Sequence, residues 1–295
     1  MGYELAIGDR SYSSWSLRGW LLFAKTGIDV KTCKGRMYSA DFARLLEEFA
    51  PAGLVPALRL PEGIVIAETM AIAETLAERH PEINLWPADA TDRALARWMS
   101  AEMHAGFTAL RGHCAMNLRV AYADCAPDQA VLRDLERIEM LWSQALGKHS
   151  DRGPWLFGEW SIVDAFFAPV AARIAGHSLP VGDLAQRYVE TQIADLAFRR
   201  WRAMGAAEGA DQPAYARDWP QKAWPVPTPL PARALDDADP SAALNMTCPY
   251  SGDQVTHFLE LNGQIWGFCN AFCRDKTIVD AAAWPAFTQM VARLG

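Results

Sequence analysis

Two clusters of side chains in this 295-residue chain have the types and spacing to do chemistry. The first is Ser11-Tyr12-Ser13-Ser14-Trp15-Ser16, set between a short apolar run (3–8) and apolar residues at helical spacing, Leu17, Trp20, Leu21 and Ala24. A hydroxyl at a helix start accepts hydrogen bonds from unpaired backbone N–H groups. The helix dipole and the same N–H groups favour an anion there, and they lower the pKa of a thiol held against them. The segment therefore reads either as an N-cap alone or as a place where a bound thiol ionises. The second cluster is Cys248-x20-Cys269-x3-Cys273. Its i, i+4 pair puts two sulfurs on one face of a helical turn, and a hairpin between the two ends would bring in the third. Soft thiolates select zinc or Cu(I), and zinc normally takes four ligands, so His257, an exogenous thiol or a water would complete the set. Buried reduced thiols in a small apolar module are the competing reading.

Two further positions stand between these clusters. Val55-Pro56 opens an apolar run of strand length, and proline at a strand start removes a ladder donor, so it suits an edge or a place where something approaches the backbone. A trans proline is the ordinary case. A cis bond would leave the Val55 backbone free to pair with an extended ligand. Glu68-Thr69 lies where a strand gives way to a helix. Thr69 is an acceptable N-cap and Glu68 suits the positive end of the dipole, so the pair either caps the helix or holds a ligand.

The elements that must position these residues follow from periodicity. Runs at 3–8, VKTCKGRMY, VPALRL and GIVIAE read as strands, the last two joined by a Pro61-Glu62-Gly63 turn. Helical spacing follows the first strand, recurs in ADFARLLEEFA and reappears from Thr69 to about His80. The order βαβαββα in about 80 residues implies one sheet with helices on its faces. From Asp92 the pattern is helical. Leu95, Trp98, Met99, Glu102, Met103 and Gly106 are expected on one side of a long helix. Val131, Leu135, Ile138, Trp142 and Ala145 form a second stripe, and Val163, Phe166, Phe167, Val170 and Ile174 a third. Domains are expected at 1–82, 88–210 and 243–295, with 211–242 as a Pro-rich linker of partial polyproline character. In the last domain Asn262-Gly263 marks a hairpin inside THFLELNGQIWGF.

Composition bounds the rest. Apolar residues make up 51% and charged residues 21%, which is globular, and the net charge of −7 argues against a nucleic-acid partner or docking on anionic lipid. No run of 18 uncharged apolar residues occurs, so no membrane span is expected. MGYELAIGDR lacks the apolar core of a secretory signal, and the expected compartment is the cytoplasm. Cys33, Cys114 and Cys125 read as small buried apolar residues.

Residues 1 to about 215 resemble the glutathione transferase superfamily. The resemblance is carried by Ser13-Ser14-Trp15-Ser16-Leu17-Arg18, Gly53-Leu54-Val55-Pro56-Ala57-Leu58 and Ile66-Ala67-Glu68-Thr69. It continues in Trp155-Leu156-Phe157-Gly158 followed by Ser161-Ile162-Val163-Asp164, where Ser161 and Asp164 are also spaced as a capping box. The resemblance implies an α/β thioredoxin-like domain that binds glutathione as co-substrate, an all-α domain shaping an apolar pocket for a small electrophile, and a homodimer. Ser13 matches the catalytic hydroxyl of the serine-type branch, with Ser14 as alternate. Val55, Pro56, Glu68 and Thr69 match the glutathione-holding positions, Pro56 as the cis proline. Met103, Phe107, Arg111, Asn117 and Arg119 lie where family members build the second pocket. The serine run looks like the zeta-class signature, with Trp15 where that class has cysteine.

The tail resembles the small treble-clef-like metal-binding modules called TRASH and YHS domains, on its cysteine spacing, Phe268-Cys269 and Arg274-Asp275-Lys276. That implies Cys248, Cys269 and Cys273 as metal ligands, with zinc as the candidate. The expected activity is glutathione transfer to an apolar electrophile by an enzyme whose thiol is activated at Ser13. The alternatives are a non-catalytic glutathione-binding or metal/redox-sensing protein on the same scaffold, or a glutathione-dependent isomerase.

Overall fold

A computed structural model of the chain describes residues 2–149, 151–225, 230–236 and 239–295. The first elements run β1 (Tyr3–Ile7), α1 (Ser14–Ala24), β2 (Val30–Lys34), α2 (Ala40–Glu48), β3 (Ala57–Arg59), β4 (Val65–Ala67) and α3 (Thr69–Arg79), the order the periodicity implied. The strands pair as β2-β1-β3-β4, with β1 parallel to β2 and both β1–β3 and β3–β4 antiparallel. This is a thioredoxin-like sheet. Its central strand β1 is buried on both faces, as expected of a strand with helices on either side.

Helix α1 begins where Ser13 leaves the extended conformation and accepts from the Ser16 N–H. It packs closely against Pro56 at Gly19, where a Cβ would stand 3.0 Å from the Pro56 ring carbons. A glycine is required for that approach. Val55–Pro56 is cis, and so is Ala50–Pro51.

The helices that follow are α4 (Ala90–Ala105), α5 (Thr108–His113), α6 (Gln129–His149), α7 (Ile162–His177) and α8 (Asp183–Ala194), with the short strand β5 (Ala121–Tyr122) before α6. The stripes expected on α6 and α7 are buried, but the one on α4 is rotated. Asp92, Ala96, Met99, Ser100 and Met103 face inward, while Trp98 is exposed. The bulk of Trp98 suggested core, yet the burial follows the small residues Ala96 and Ser100, which let neighbouring helices approach.

The capping box at Ser161 holds. Asp164 accepts from the Ser161 N–H at 2.9 Å and, through its other oxygen, from the Leu156 N–H at 3.2 Å and the Tyr188 hydroxyl at 2.8 Å. Burial pushes its carboxyl up to about 6 despite those donors.

The chain divides into two compact units, and the division differs from the boundaries expected above. One unit comprises Met1–Ala194 with Gln212–Pro225. The stretch expected to begin a linker at 211 is instead tied down here: the Gln212 N–H donates to the Tyr12 hydroxyl at 3.2 Å, its amide donates to Asp9 at 3.0 Å, and β6 (Gln221–Lys222) pairs with β5. Lack of periodicity did not mean lack of contacts, because polar side chains, not an apolar stripe, fix this segment. The polyproline reading of 226–229 and the residues 237–238 lie outside the described residues.

The second unit comprises Asp195–Asp211 and Val226–Gly295. It contains α9 (Leu196–Ala206), which the sequence reading had assigned to the preceding helical domain, and β7 (Ala232–Leu235), which it had assigned to the linker. Then come β8 (His257–Leu261), β9 (Gln264–Phe268), α10 (Ala271–Val279) and α11 (Pro285–Leu294). The sheet order is β7-β8-β9, antiparallel throughout. Asn262 and Gly263 turn the β8–β9 hairpin with φ of 54° and 78°, the two positive angles such a tight turn demands. Helix α9 is held by the Arg199–Asp280 ion pair at 2.7 Å and by Arg200 donating to the Ala283 carbonyl at 2.8 Å.

Candidate functional site

A cavity of about 770 Å³ opens over the N-terminus of α1. Ser13, Ser14 and Trp15 form one wall, Leu54 and Val55 another, and Arg111 and Arg173 a third. The Ser13 hydroxyl donates to Ser16 Oγ at 2.7 Å and accepts from the Ser16 N–H at 3.3 Å. Ser16 Oγ in turn accepts from the Gly8 N–H at 3.0 Å, which locks the end of β1 to the start of α1. Ser14, the first residue of α1, lines the same cavity.

A smaller recess of about 60 Å³ adjoins it, lined by Trp15, Leu54, Val55, Pro56, Glu68 and Thr69. Thus all four residues expected to hold glutathione come together. Thr69 is 1% exposed, and among the described residues its hydroxyl has no hydrogen-bond partner. An orphaned buried hydroxyl is costly unless a ligand satisfies it, so the recess suits a polar group of a bound molecule. Glu68 sits at φ 68° with its carboxylate mostly exposed, 3.3 Å from the His104 ring.

The second-pocket residues divide. Arg111 lines the cavity. Met103 is fully buried in α4 and Phe107 is 6% exposed at the start of α5, and both belong to the core. Asn117 and Arg119 form a turn of their own, the Arg119 N–H donating to the Asn117 side chain at 3.0 Å, and neither is in the cavity wall. Their burial overrides the family position that placed Met103 and Phe107 in the second pocket.

Sequence reasoning missed Arg173, Tyr38 and Tyr215, while Tyr12, from the serine-rich segment, also lines the cavity. Arg173 had a signal: it is the single cation in the apolar run 168–174 of α7. Tyr215 had none, because it lies in the stretch taken for a linker.

The arginines set the electrostatics. Arg173 is 5% exposed and donates to the carbonyls of Cys114 at 2.8 Å and Pro169 at 3.2 Å. Burial, then the nearby Arg111, pulls its pKa down to about 10. Arg18 is fully buried, donates to the Phe166 carbonyl at 2.8 Å and stacks over Trp15. Burial, then Arg173 and Arg111, holds it well below the ordinary arginine range. Arg111 also stacks on Trp15, 5.0 Å from the ring centroid. Three guanidinium groups therefore repel one another, two of them, Arg18 and Arg111, over the Trp15 indole, and two, Arg111 and Arg173, at the cavity wall.

In the other unit Cys248, Cys269 and Cys273 converge, their sulfurs all within 4.8 Å of one another and the Cys269–Cys273 pair 3.9 Å apart. His257 is not part of that cluster; its Nδ1 lies 2.9 Å from the Thr256 hydroxyl. Burial alone would push the Cys248 thiol up, but backbone N–H groups of Cys269, Tyr250 and Ser251 donate to it and carry it below the ordinary range. Burial pushes Cys273 up to about 12, against the pull of Lys276. Ser251 and Asn270 each donate to Cys269 Sγ at 3.3 Å.

A thioredoxin-like sheet followed by a helical bundle, with a serine-capped α1 and a cis Val55–Pro56 beside the cavity, defines a glutathione-transferase fold. The glutathione S-transferase N-terminal domain family matches residues 12–79, and the chain belongs to the glutathione S-transferase superfamily, a class of glutathione-dependent enzymes. It is 31% identical over 145 residues to "Probable maleylacetoacetate isomerase" of Caenorhabditis elegans, an alignment covering 48% of this chain and 66% of that protein. It is 28% identical over 169 residues to maleylacetoacetate isomerase of Rattus norvegicus, covering 56% and 74%. Among solved structures, a glutathione transferase homologue from Burkholderia with bound glutathione superposes with a TM-score of 0.53 at 24% identity, covering 70% of this chain and 98% of that one. Glutathione transferase Omega 3C from Trametes versicolor gives 0.53 at 20% identity, covering 73% and 92%. Among the described residues no helix is long and apolar enough to cross a membrane.

Proposed function

We propose that this chain is a serine-type glutathione transferase whose second substrate is a small electrophile bearing a carboxylate. One observation carries the carboxylate: Arg111 and Arg173 both line the cavity, and burial, then the nearby Arg111, disfavours the Arg173 charge until an anion joins it. In this reading the Val55 backbone, Glu68 and Thr69 hold glutathione, with the Thr69 hydroxyl gaining the partner it lacks. The Ser13 hydroxyl turns from Ser16 to donate to the glutathione sulfur, which favours the thiolate as its proton leaves to solvent. Ser14, on the same wall, is the alternate donor. The thiolate then adds to an activated double bond, the C–S bond forming as the π pair moves to the neighbouring carbon and takes a proton from solvent, while the arginines hold the carboxylate.

The test is conjugation of glutathione to an electrophilic carboxylic acid and to its neutral ester, by wild type, Ser13→Ala and Ser14→Ala. A preference for the acid, and loss of rate in one serine variant, is the expected result. An equal preference, with neither serine mattering, would sink the proposal. A second reading, a glutathione-dependent isomerase acting on such an anion, is favoured by the relatives named maleylacetoacetate isomerase. Recovery of glutathione unconsumed after turnover separates it from transfer.

Assembly as a homodimer and residence in the cytoplasm complete this reading. For the other unit we propose a treble-clef-like metal site formed by Cys248, Cys269 and Cys273. The convergence of the three sulfurs supports it, and the N–H donors to Cys248 favour the thiolate form that binds metal. Zinc is the candidate, with an exogenous ligand in fourth place. Metal analysis of wild type against Cys269→Ser decides: equal, near-zero content in both would refute it.

A further inference from the structure

A second group of soft donors lies far along the chain from those three. Cys114 and Cys125 are 0% and 2% exposed, and their sulfurs are 4.0 Å apart. A ring nitrogen of His113 completes a set in which all three donor atoms lie within 4.8 Å of one another. We infer that His113, Cys114 and Cys125 form a three-coordinate site for a thiophilic monovalent ion, Cu(I), behind the wall of the cavity.

Four observations carry this. The first is angular. With metal–sulfur bonds of about 2.3 Å, sulfurs 4.0 Å apart can both reach one ion, subtending roughly 120° at it. Thiolate and imidazole donors in that arrangement suit Cu(I), whereas zinc would demand a fourth ligand. The second is the state of the histidine. Its Nε2 lies 3.0 Å from the Cys125 carbonyl, the contact that orients a ligating imidazole and fixes which nitrogen keeps its lone pair. The ring is steadied further by Trp219, 5.4 Å between centroids.

The third is charge. Two thiolates and one Cu(I) leave a net negative centre. Burial pushes both thiols above their ordinary range, Cys114 most strongly, so the ion must displace their protons; Arg173, which donates to the Cys114 carbonyl, and Arg217 offset part of the resulting charge, while Asp124 opposes at Cys125. The fourth is access. Cys125 is buried within a loop whose neighbours Asp124 and Ala126 are exposed, so an ion has a short entry path. Binding replaces two S–H bonds with two Cu–S bonds and releases two protons, with no change of oxidation state.

The experiment uses the full chain with Cys248→Ser, Cys269→Ser and Cys273→Ser combined, which removes the other thiol cluster. Cu(I) is titrated anaerobically against a chromophoric Cu(I) chelator, following thiolate-to-copper absorption and proton release. One equivalent bound with two protons released is expected. Adding Cys125→Ser should abolish it, Cys33→Ser should leave it intact, and His113→Gln should weaken it by about 10- to 100-fold. In case the triple variant fails to fold, Cys125→Ser in the otherwise native chain should lower total Cu(I) capacity by one equivalent. Unchanged capacity on removing Cys125 would overturn the proposal. So would displacement of the copper by excess zinc, or recovery of Cys114 and Cys125 as a disulfide from reducing buffer. None of these outcomes depends on glutathione turnover.

Discussion

Replacing Arg173 with methionine tests whether the cavity was built for an anion. Methionine keeps most of the apolar stem and removes the charge. The fall of the Arg173 pKa from the ordinary arginine range to about 10 corresponds to a charge-burial cost of about 3 kcal/mol at neutral pH. The sign follows from linkage: a depressed folded-state pKa means a destabilising contribution, absent at pH above the ordinary arginine range and complete once the pH falls below about 10. Methionine relieves that penalty. Against it stands the Cys114 carbonyl, which loses its donor at a cost of about 1–3 kcal/mol, whereas the Pro169 carbonyl keeps its place in the helix. The two effects nearly cancel, so denaturant unfolding at pH 7 should place Arg173→Met within about 2 kcal/mol of wild type. Binding should not cancel. A charged hydrogen bond of about 1.5–3 kcal/mol predicts a fall in kcat/KM of roughly 10- to 150-fold for a carboxylate electrophile. The neutral ester should be unaffected, and so should the KM for glutathione. Equal losses on acid and ester, or unfolding of the variant, would show that Arg173 is structural and refute the reasoning.

Ser13→Ala should cost about 1 kcal/mol of stability through the lost cap, measurable by denaturation, while Ser14→Ala should not, so the two roles separate even if both lower activity. Thr69→Val should raise the KM for glutathione by roughly tenfold without lowering stability, because its hydroxyl has no partner to lose; an unchanged KM would count against the recess as the glutathione site. Asp164→Ala should destabilise by about 3–5 kcal/mol in denaturant, since it leaves the Ser161 and Leu156 N–H groups and the Tyr188 hydroxyl unpaired together.

The thioredoxin-like half was legible because its signals are local. The Ser13 cap, the Pro61-Gly63 turn and the Thr69 helix start each lie within a few residues, and family spacing placed Val55 and Pro56 beside them. The helical half was legible only where long side chains mark the buried stripe, as on α6. On α4 the buried stripe runs through Ala96 and Ser100, and the larger Trp98 misdirected the assignment. Arg173 and Tyr215 were not found, because each reaches the cavity through tertiary packing from an element whose own pattern points elsewhere. An arginine within an apolar helix face deserves a functional reading before a surface one.

The same reasoning changes what the cysteine cluster of the second unit means. By size alone, residues 243–295 would call for a staple such as a metal. The structure removes the need. Helix α9 contributes Ala203 to the core built by Leu259, Trp266, Phe268 and Phe287, and Arg199 and Arg200 fasten it to the segment around Asp280. With β7 added to the β8–β9 hairpin, the unit has a sheet, three helices and an apolar interior of its own. A metal at Cys248, Cys269 and Cys273 is therefore not required to account for folding. What supports it is chemical: three sulfurs brought together at the edge of that core, one of them stabilised as a thiolate by three backbone N–H groups, with polar Ser251 and Asn270 at Cys269. An ion held there would be exchangeable at little cost to the fold, which suits sensing or delivery better than stapling.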